Sequence, residues 1–151
     1  MPLTAQGLLN RQAAIGEILP LRHAILRPGL PLESAAFDGD RDPLTAHFGV
    51  FDGQACVACV SYMPTTFDGE DAWQLRGMAV RADMQRKGLG RAMLAFAHDQ
   101  LARRPGRRLL WCNARIVAAP FYQRLGWTIV SGVFDVPTVG PHYRMTARLP
   151  G

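Results

Sequence analysis

Apolar positions along this chain switch between helical and strand spacing, and the switches mark out its elements. Ile18, Leu21, Ile25 and Leu26 share one helical face, with Pro20 tolerable only in a first turn and Arg27-Pro28-Gly29 as a stop. A short strand around Leu9 to Ala14 is expected before that helix. Leu30 to Pro43 is rich in Pro, Gly and Asp and has no period. It reads as a loop, long enough to suggest a functional one. Ala46 to Phe51, then Asp52-Gly53, then Ala55 to Met63 predict a β-hairpin, since Asp-Gly is a strong two-residue turn signal. Pro64 to Asp71 reads as a second turn region and Trp73 to Val80 as a third strand. Leu89, Met93, Phe96, Ala97 and Leu101 then form the stripe of a helix running to about Arg103. Arg108 to Cys112 is a short apolar strand. Ile116 to Leu125 is a helix closed by Gly126 as a C′ glycine. Trp127 to Val130 and Tyr143 to Arg148 are further strands. The order β-α-β-β-β-α-β-α-β-β implies an α/β fold: one mixed, twisted sheet with helices on both faces. No repeat, linker or low-complexity segment interrupts it, so residues 1–151 are expected to form one domain.

The densest chemistry lies between the third strand and the second long helix, in Gln85-Arg86-Lys87-Gly88-Leu89-Gly90-Arg91-Ala92. A helix start leaves its first N–H groups without intrahelical partners and carries partial positive charge. Gly88 and Gly90 let a ligand approach the backbone, and Arg86, Lys87 and Arg91 add full charges. By itself this turn fits either a phosphate cradle or a tight turn with a solvated basic rim. It is neither the dinucleotide fingerprint, because position 93 is Met, nor a P-loop, because Gly-Lys-Ser/Thr is absent.

The remaining pattern, Q-x-x-G-x-G at Gln85, Gly88 and Gly90 after a strand, resembles the coenzyme-A-binding motif of the GCN5-related N-acetyltransferases (GNAT family). A second stretch, Phe121-Tyr122-Gln123-Arg124-Leu125-Gly126-Trp127, resembles that family's Phe-Tyr-x-x-x-Gly-Phe/Trp motif, with Ala118 matching its small residue four before the tyrosine. The resemblance covers about residues 44–148. It implies the acetyltransferase fold, with acetyl-CoA as acyl donor and no metal. It implies that Gln85 to Ala92 bind the pyrophosphate, that the strand Met78-Ala79-Val80 holds the pantetheine arm, and that Phe121 and Tyr122 line the thioester end. Tyr122 resembles the family's general acid, and the Val80 N–H its oxyanion donor. The reaction implied is acetyl transfer to a primary amine by direct attack in a ternary complex. A non-catalytic acyl-CoA-binding module of the same fold is the alternative.

The chain departs from the family pattern in two places. Gln74 stands where an acidic residue often serves as base through water, and Arg115 where an asparagine is common; Asn113 lies two residues earlier and is a candidate coenzyme contact. A base must come from elsewhere, and Glu33, His47 and His142 are the candidates. Gly140-Pro141-His142-Tyr143-Arg144-Met145 resembles the Pro-His-x-x-Met ending of a small bacterial subgroup of the family, as does the earlier Leu21-Arg22 to Gly29 run. His142 is therefore taken as a second catalytic candidate, and Arg27, Glu33, Phe37, His47 and Arg76 as acceptor contacts. Glu33, Asp38, Asp40 and Asp42 would suit a cationic acceptor, a small molecule or a peptide, or form only a solvated loop.

Composition narrows the field further. The chain has 48% hydrophobic and 19% charged residues and a net charge of +5, ordinary for a globular domain with an anionic ligand. Lys87 is its only lysine, and the arginines are scattered rather than striped, which argues against a nucleic-acid partner. No apolar run approaches bilayer length and no leader pattern opens the chain, so a cytoplasmic location without membrane contact is expected. Cys56 and Cys59 form a lone C-x-x-C without a second ligand pair, and on a strand they would point to opposite faces. With Cys112 they read as structural thiols. The resemblance leaves room for a homodimer, since dimers are frequent in the family.

Overall fold

The computed structural model describes residues 2–151. Eight strands form one mixed sheet: β1 (Leu9–Ala13), β2 (Ala46–Asp52), β3 (Ala55–Phe67), β4 (Glu70–Val80), β5 (Leu109–Arg115), β6 (Thr128–Ile129), β7 (Phe134–Val136) and β8 (Gly140–Arg148). Their spatial order is β1-β2-β3-β4-β5-β8-β6, with β7 also paired to β8. Only β4 and β5 run parallel; the other pairings are antiparallel. Three helices, α1 (Ile15–Leu26), α2 (Leu89–Ala102) and α3 (Ala119–Arg124), cover the sheet. Strand alternation separates them onto two faces. Ala58, Val60 and Tyr62 of β3 pack with Leu89, Met93, Ala97 and Leu101 of α2 and Ala119 and Tyr122 of α3, whereas Cys59 packs with Ile18 and Leu21 of α1.

The structure departs from the sequence reading at several points. Pro64 to Phe67 is strand, and the turn shrinks to Asp68-Gly69, both at positive φ. Pro64 is tolerated because β2 begins only opposite Tyr62, leaving one edge of β3 beyond it without a neighbour. Pro20 lies inside α1 rather than in its first turn. The helix expected from Ile116 opens with a 3₁₀ turn, and β8 begins at Gly140, early enough to hold His142 in the sheet. The strand β7 and the 3₁₀ turn Leu32–Ala35 were not legible in the pattern. Finally, Cys56 and Cys59 pack on the same side, against α1. A bulge between Val50 and Phe51 sets two residues of β3 against one of β2, so the alternation slips by one. Both thiols, and Cys112, are free, and burial pushes them up to about 11, 12 and 12 respectively.

A second bulge lies beside the candidate site. In β4, Cys59 faces Ala79 but Ser61 faces Arg76, so β4 carries one extra residue there, with Gly77 at φ +63°. A Cβ on Gly77 would lie 2.7 Å from Nε of Arg22. Pairing between β4 and β5 stops at Gln74 and Trp111, although both strands continue. The two strands therefore splay, leaving an open gap along Leu75 to Val80.

Candidate active site

Two cavities meet at this gap. The larger, about 700 Å³, is lined by Met78, Ala79 and Val80 of β4, Gln85, Arg86 and Gly88 to Arg91 of the turn, and Phe121 and Tyr122 of α3. Gly88 adopts the left-handed conformation at the N-terminus of α2, and the Ala92 N–H is already bonded to its carbonyl at 3.1 Å. The N–H groups of Leu89, Gly90 and Arg91 have no such helical partner. The polar cradle expected over residues 85–92 thus ends at Arg91: Ala92 has no N–H to spare. Lys87 lies at the exposed rim, where its carbonyl accepts the Gln6 amide at 2.8 Å. Arg124, on α3, lines this cavity too. Its position beside Phe121-Tyr122 could have suggested it from sequence.

The direction of the β4 backbone follows from pairing phase. Arg81 N–H donates to the Val57 carbonyl at 2.8 Å, which makes Ala79 and Cys59 a hydrogen-bonded pair and Val80 and Ala58 a non-bonded one. The Val80 N–H therefore turns away from β3 into the gap, while Ala79 spends its backbone groups on β3. Gln85 Nε2 donates to the Val80 carbonyl at 3.0 Å, which ties the cradle to the strand.

The second cavity, about 390 Å³, lies on the other side of Met78, Ala118 and Tyr122, which line both. Arg27, Phe37, Gln74, Arg76, Asn113, Arg115 and His142 line it, with Val136 and Val139 from the β7–β8 hairpin. No Asp or Glu does. Neither Arg76 nor Arg115 has an ion-pair partner among the described residues. Burial and the nearby Arg22 push Arg76 below the ordinary guanidinium range, yet a guanidinium keeps its charge in a protein. Asn113 faces this cavity rather than the coenzyme side, and its Oδ1 accepts Arg144 Nε at 3.4 Å.

Tyr122 is 6% exposed, and the nearest partner of its hydroxyl is the Met78 sulfur at 3.6 Å. Burial raises the phenol further above its ordinary range, so it stays protonated and free to donate. His142 Nδ1 lies 2.7 Å from the Gly140 carbonyl. A carbonyl only accepts, so Nδ1 carries a proton, and in the neutral ring the lone pair is on Nε2. Two expected acceptor contacts lie elsewhere. Glu33 is exposed in the 3₁₀ turn, and His47 is buried in a network under the 30–43 segment. Arg115 had registered only as a departure from the family pattern; the β5–β8 pairing sets it opposite His142.

Comparison with known proteins identifies the family and the fold. Residues 44–129 match the family described as Acetyltransferase (GNAT) domain. The chain is 30% identical over 139 residues to the uncharacterized N-acetyltransferase YitI of Bacillus subtilis (strain 168), covering 90% of this chain and 93% of that protein. The chain belongs to the GNAT family and is an acyltransferase of the N-acetyltransferase class. Its fold is shared at TM-score 0.79 and 16% identity with a putative N-acetyltransferase from Lactobacillus plantarum, over 95% of this chain and 99% of that one. A structure of aminoglycoside 6′-N-acetyltransferase complexed with coenzyme A aligns at TM-score 0.74 and 14% identity, over 95% and 98%. No helix among the described residues is long and apolar enough to cross a membrane, and no three metal-ligating side chains gather there.

Proposed function

We propose that this protein transfers the acetyl group of acetyl-CoA to a primary amine on an acceptor that also carries a negative charge, by direct attack in a ternary complex. One observation supports this reading above the rest: two cavities meet at Tyr122, and the one away from the Gly-rich turn is lined by Arg27, Arg76 and Arg115 without a carboxylate. Unpaired guanidiniums match carboxylate or phosphate geometry. The cationic acceptor suggested by the acidic loop is not favoured, because Asp40 is consumed in a buried ion pair and Glu33, Asp38 and Asp42 face solvent.

Acetyl-CoA supplies an activated acetyl thioester, and the larger cavity fits it: unpartnered N–H groups at Leu89 to Arg91 and the charges of Arg86, Arg91 and Arg124 suit phosphates. The Val80 N–H, turned into the gap, donates to the oxygen that gains negative charge. His142 Nε2 takes the proton of the attacking ammonium or amine, and the Gly140 carbonyl holds the ring in the tautomer that can do so. Tyr122 gives its proton to the departing sulfur. His142 fills the role that Gln74 cannot.

The test is thiol release from acetyl-CoA with aspartate, glycinamide and spermidine as acceptors, preceded by calorimetric titration with acetyl-CoA and with dephospho-coenzyme A. Turnover of aspartate with the lowest KM, lost on Arg76→Gln or Arg115→Gln, is expected. Preference for spermidine would refute the anionic acceptor. Coenzyme binding without turnover of any amine would favour the non-catalytic module.

A further inference from the structure

The 30–43 segment has little regular structure, yet it is anchored by a fully buried charge. Arg22 of α1 is 0% exposed. Its Nη1 donates to Asp40 Oδ2 at 2.8 Å and to the Ala35 carbonyl at 3.0 Å. Its Nη2 donates to Asp40 Oδ1 at 3.0 Å and to Ser61 Oγ at 2.8 Å. His47 Nε2 lies 2.9 Å from the Asp40 carbonyl and so carries the ring proton. His47 Nδ1, 2.6 Å from Ser61 Oγ, then accepts the serine proton, while the serine oxygen accepts from Arg22. Each hydrogen bond in this network has one direction, and four parts of the chain (α1, the loop, β2 and β3) are joined by it, while the buried Arg22 Nε–H is left without an acceptor among the described residues. Burial holds His47 below the ordinary histidine range, consistent with that neutral tautomer.

A buried ion pair is weak evidence for net stability, because desolvation offsets the attraction. What this one determines is a position. Asp40 Oδ2 also accepts the Phe37 N–H at 2.7 Å, which fixes the Phe37 backbone. The guanidiniums of Arg22 and Arg76 each lie 4.2 Å from the centroid of the Phe37 ring. Arg76 has no ion pair among the described residues, so the ring is its principal restraint. Gly77 completes the fit, since a Cβ there would meet Arg22 at 2.7 Å and Phe37 at 3.0 Å.

We infer that the Arg22–Asp40 pair, clamped by Ser61 and His47, is a positioning device for the second cavity: it fixes Phe37, and Phe37 holds the Arg76 guanidinium at the cavity wall. Its kinetic consequence, though not the positioning itself, rests on the anionic-acceptor reading. These are positioning residues, not catalytic ones.

Two measurements test it. The first is the ¹⁵N-edited spectrum of the arginine Nε–H groups, with the Arg76 signal assigned from its loss in Arg76→Lys. The second is KM for aspartate against KM for acetyl-CoA. Phe37→Leu is expected to move the Arg76 signal toward those of exposed arginines. It should also raise the aspartate KM about tenfold, the size of a strong cation–π contact, and leave the acetyl-CoA KM unchanged. Phe37→Tyr should restore both. Asp40→Asn should act in the same direction if it folds; if thermal unfolding shows that it does not, the Phe37 pair alone decides. An Arg76 signal that stays in place in Phe37→Leu overturns the inference. If no anionic amine is acetylated, the acceptor reading fails while the arginine spectra still decide this one.

Discussion

Gly88 and Gly90 differ in why they are glycines, and substituting each by alanine separates backbone strain from ligand space. Gly88 sits at φ +77° and ψ 9° at the start of α2, with nothing within 4 Å of a built Cβ. Space is free there; conformation is not. An L-residue in the left-handed region costs about 1–2 kcal/mol, which in a domain of this length lowers Tm by about 2–8 °C. Gly90 has ordinary helical φ, so alanine would add up to about 1 kcal/mol of helix propensity. Its Cβ, however, would lie 2.7 Å from the Met78 methyl and 3.3 Å from the Phe121 ring. The Met78 methyl is the end of a flexible chain and can move when the cavity is empty, so the free protein loses little. With the donor bound that room is gone, and an overpacking penalty of about 1–3 kcal/mol falls on the complex instead. Gly90→Ala is therefore expected to hold Tm within about 2 °C of the parent and to weaken acetyl-CoA roughly ten- to a hundredfold. Gly88→Ala is expected to lower Tm. Differential scanning calorimetry and isothermal titration of both variants check this. Parental affinity in Gly90→Ala would refute the placement of the donor against Met78 and Phe121. An unchanged Tm in Gly88→Ala would refute the strain argument.

Other expectations follow from the same structure. Tyr122→Phe should lower turnover by about 10²- to 10⁴-fold with acetyl-CoA affinity unchanged by titration; a loss below tenfold would make Tyr122 a positioning residue. His142→Gln should lower turnover by about 10²- to 10⁴-fold with acetyl-CoA affinity unchanged by titration, because an amide cannot take the proton that Nε2 accepts. His98 is an acid-stability probe: its Nε2 lies 2.8 Å from the Tyr62 hydroxyl oxygen, and burial pushes its pKa down to about 4. The unfolded chain, with its histidine near about 6.5, binds the proton first. The contribution of neutral His98 is therefore complete above about pH 6.5 and is lost as pH falls toward about 4, by about 3 kcal/mol in all. Urea midpoints between pH 7.5 and 4.5 should fall less steeply in His98→Gln.

Much of this fold was legible in the chain because its signals are local. The Asp52-Gly53 turn, the stripe from Leu89 to Leu101 and the C′ Gly126 each act through neighbours a few residues away. The Gly-rich turn was legible for the same reason: backbone donors at a helix start need only the helix and two glycines. The two bulges were not, because a bulge is a mismatch between strands, and its presence at Gly77 depends on how Ser61 and Cys59 are held. Strand ends failed similarly, as at Pro64, whose tolerance depends on where β2 happens to begin.

The acceptor side shows the division most clearly. Sequence alone marked out the proposed donor half of this protein: the strand, the turn and the helix start are contiguous, and the tyrosine motif follows after α2 and β5. Arg27, Arg76, Arg115 and His142 come from four separate segments, and nothing local relates them. Only the tertiary structure decided that they share one cavity, through the splay of β4 from β5 and the pairing of β5 with β8. It also decided that Asp40 neutralises a buried arginine instead of meeting a ligand. The sign of an acidic loop cannot be read until its partners are known, because a charge acts on whatever the fold places beside it.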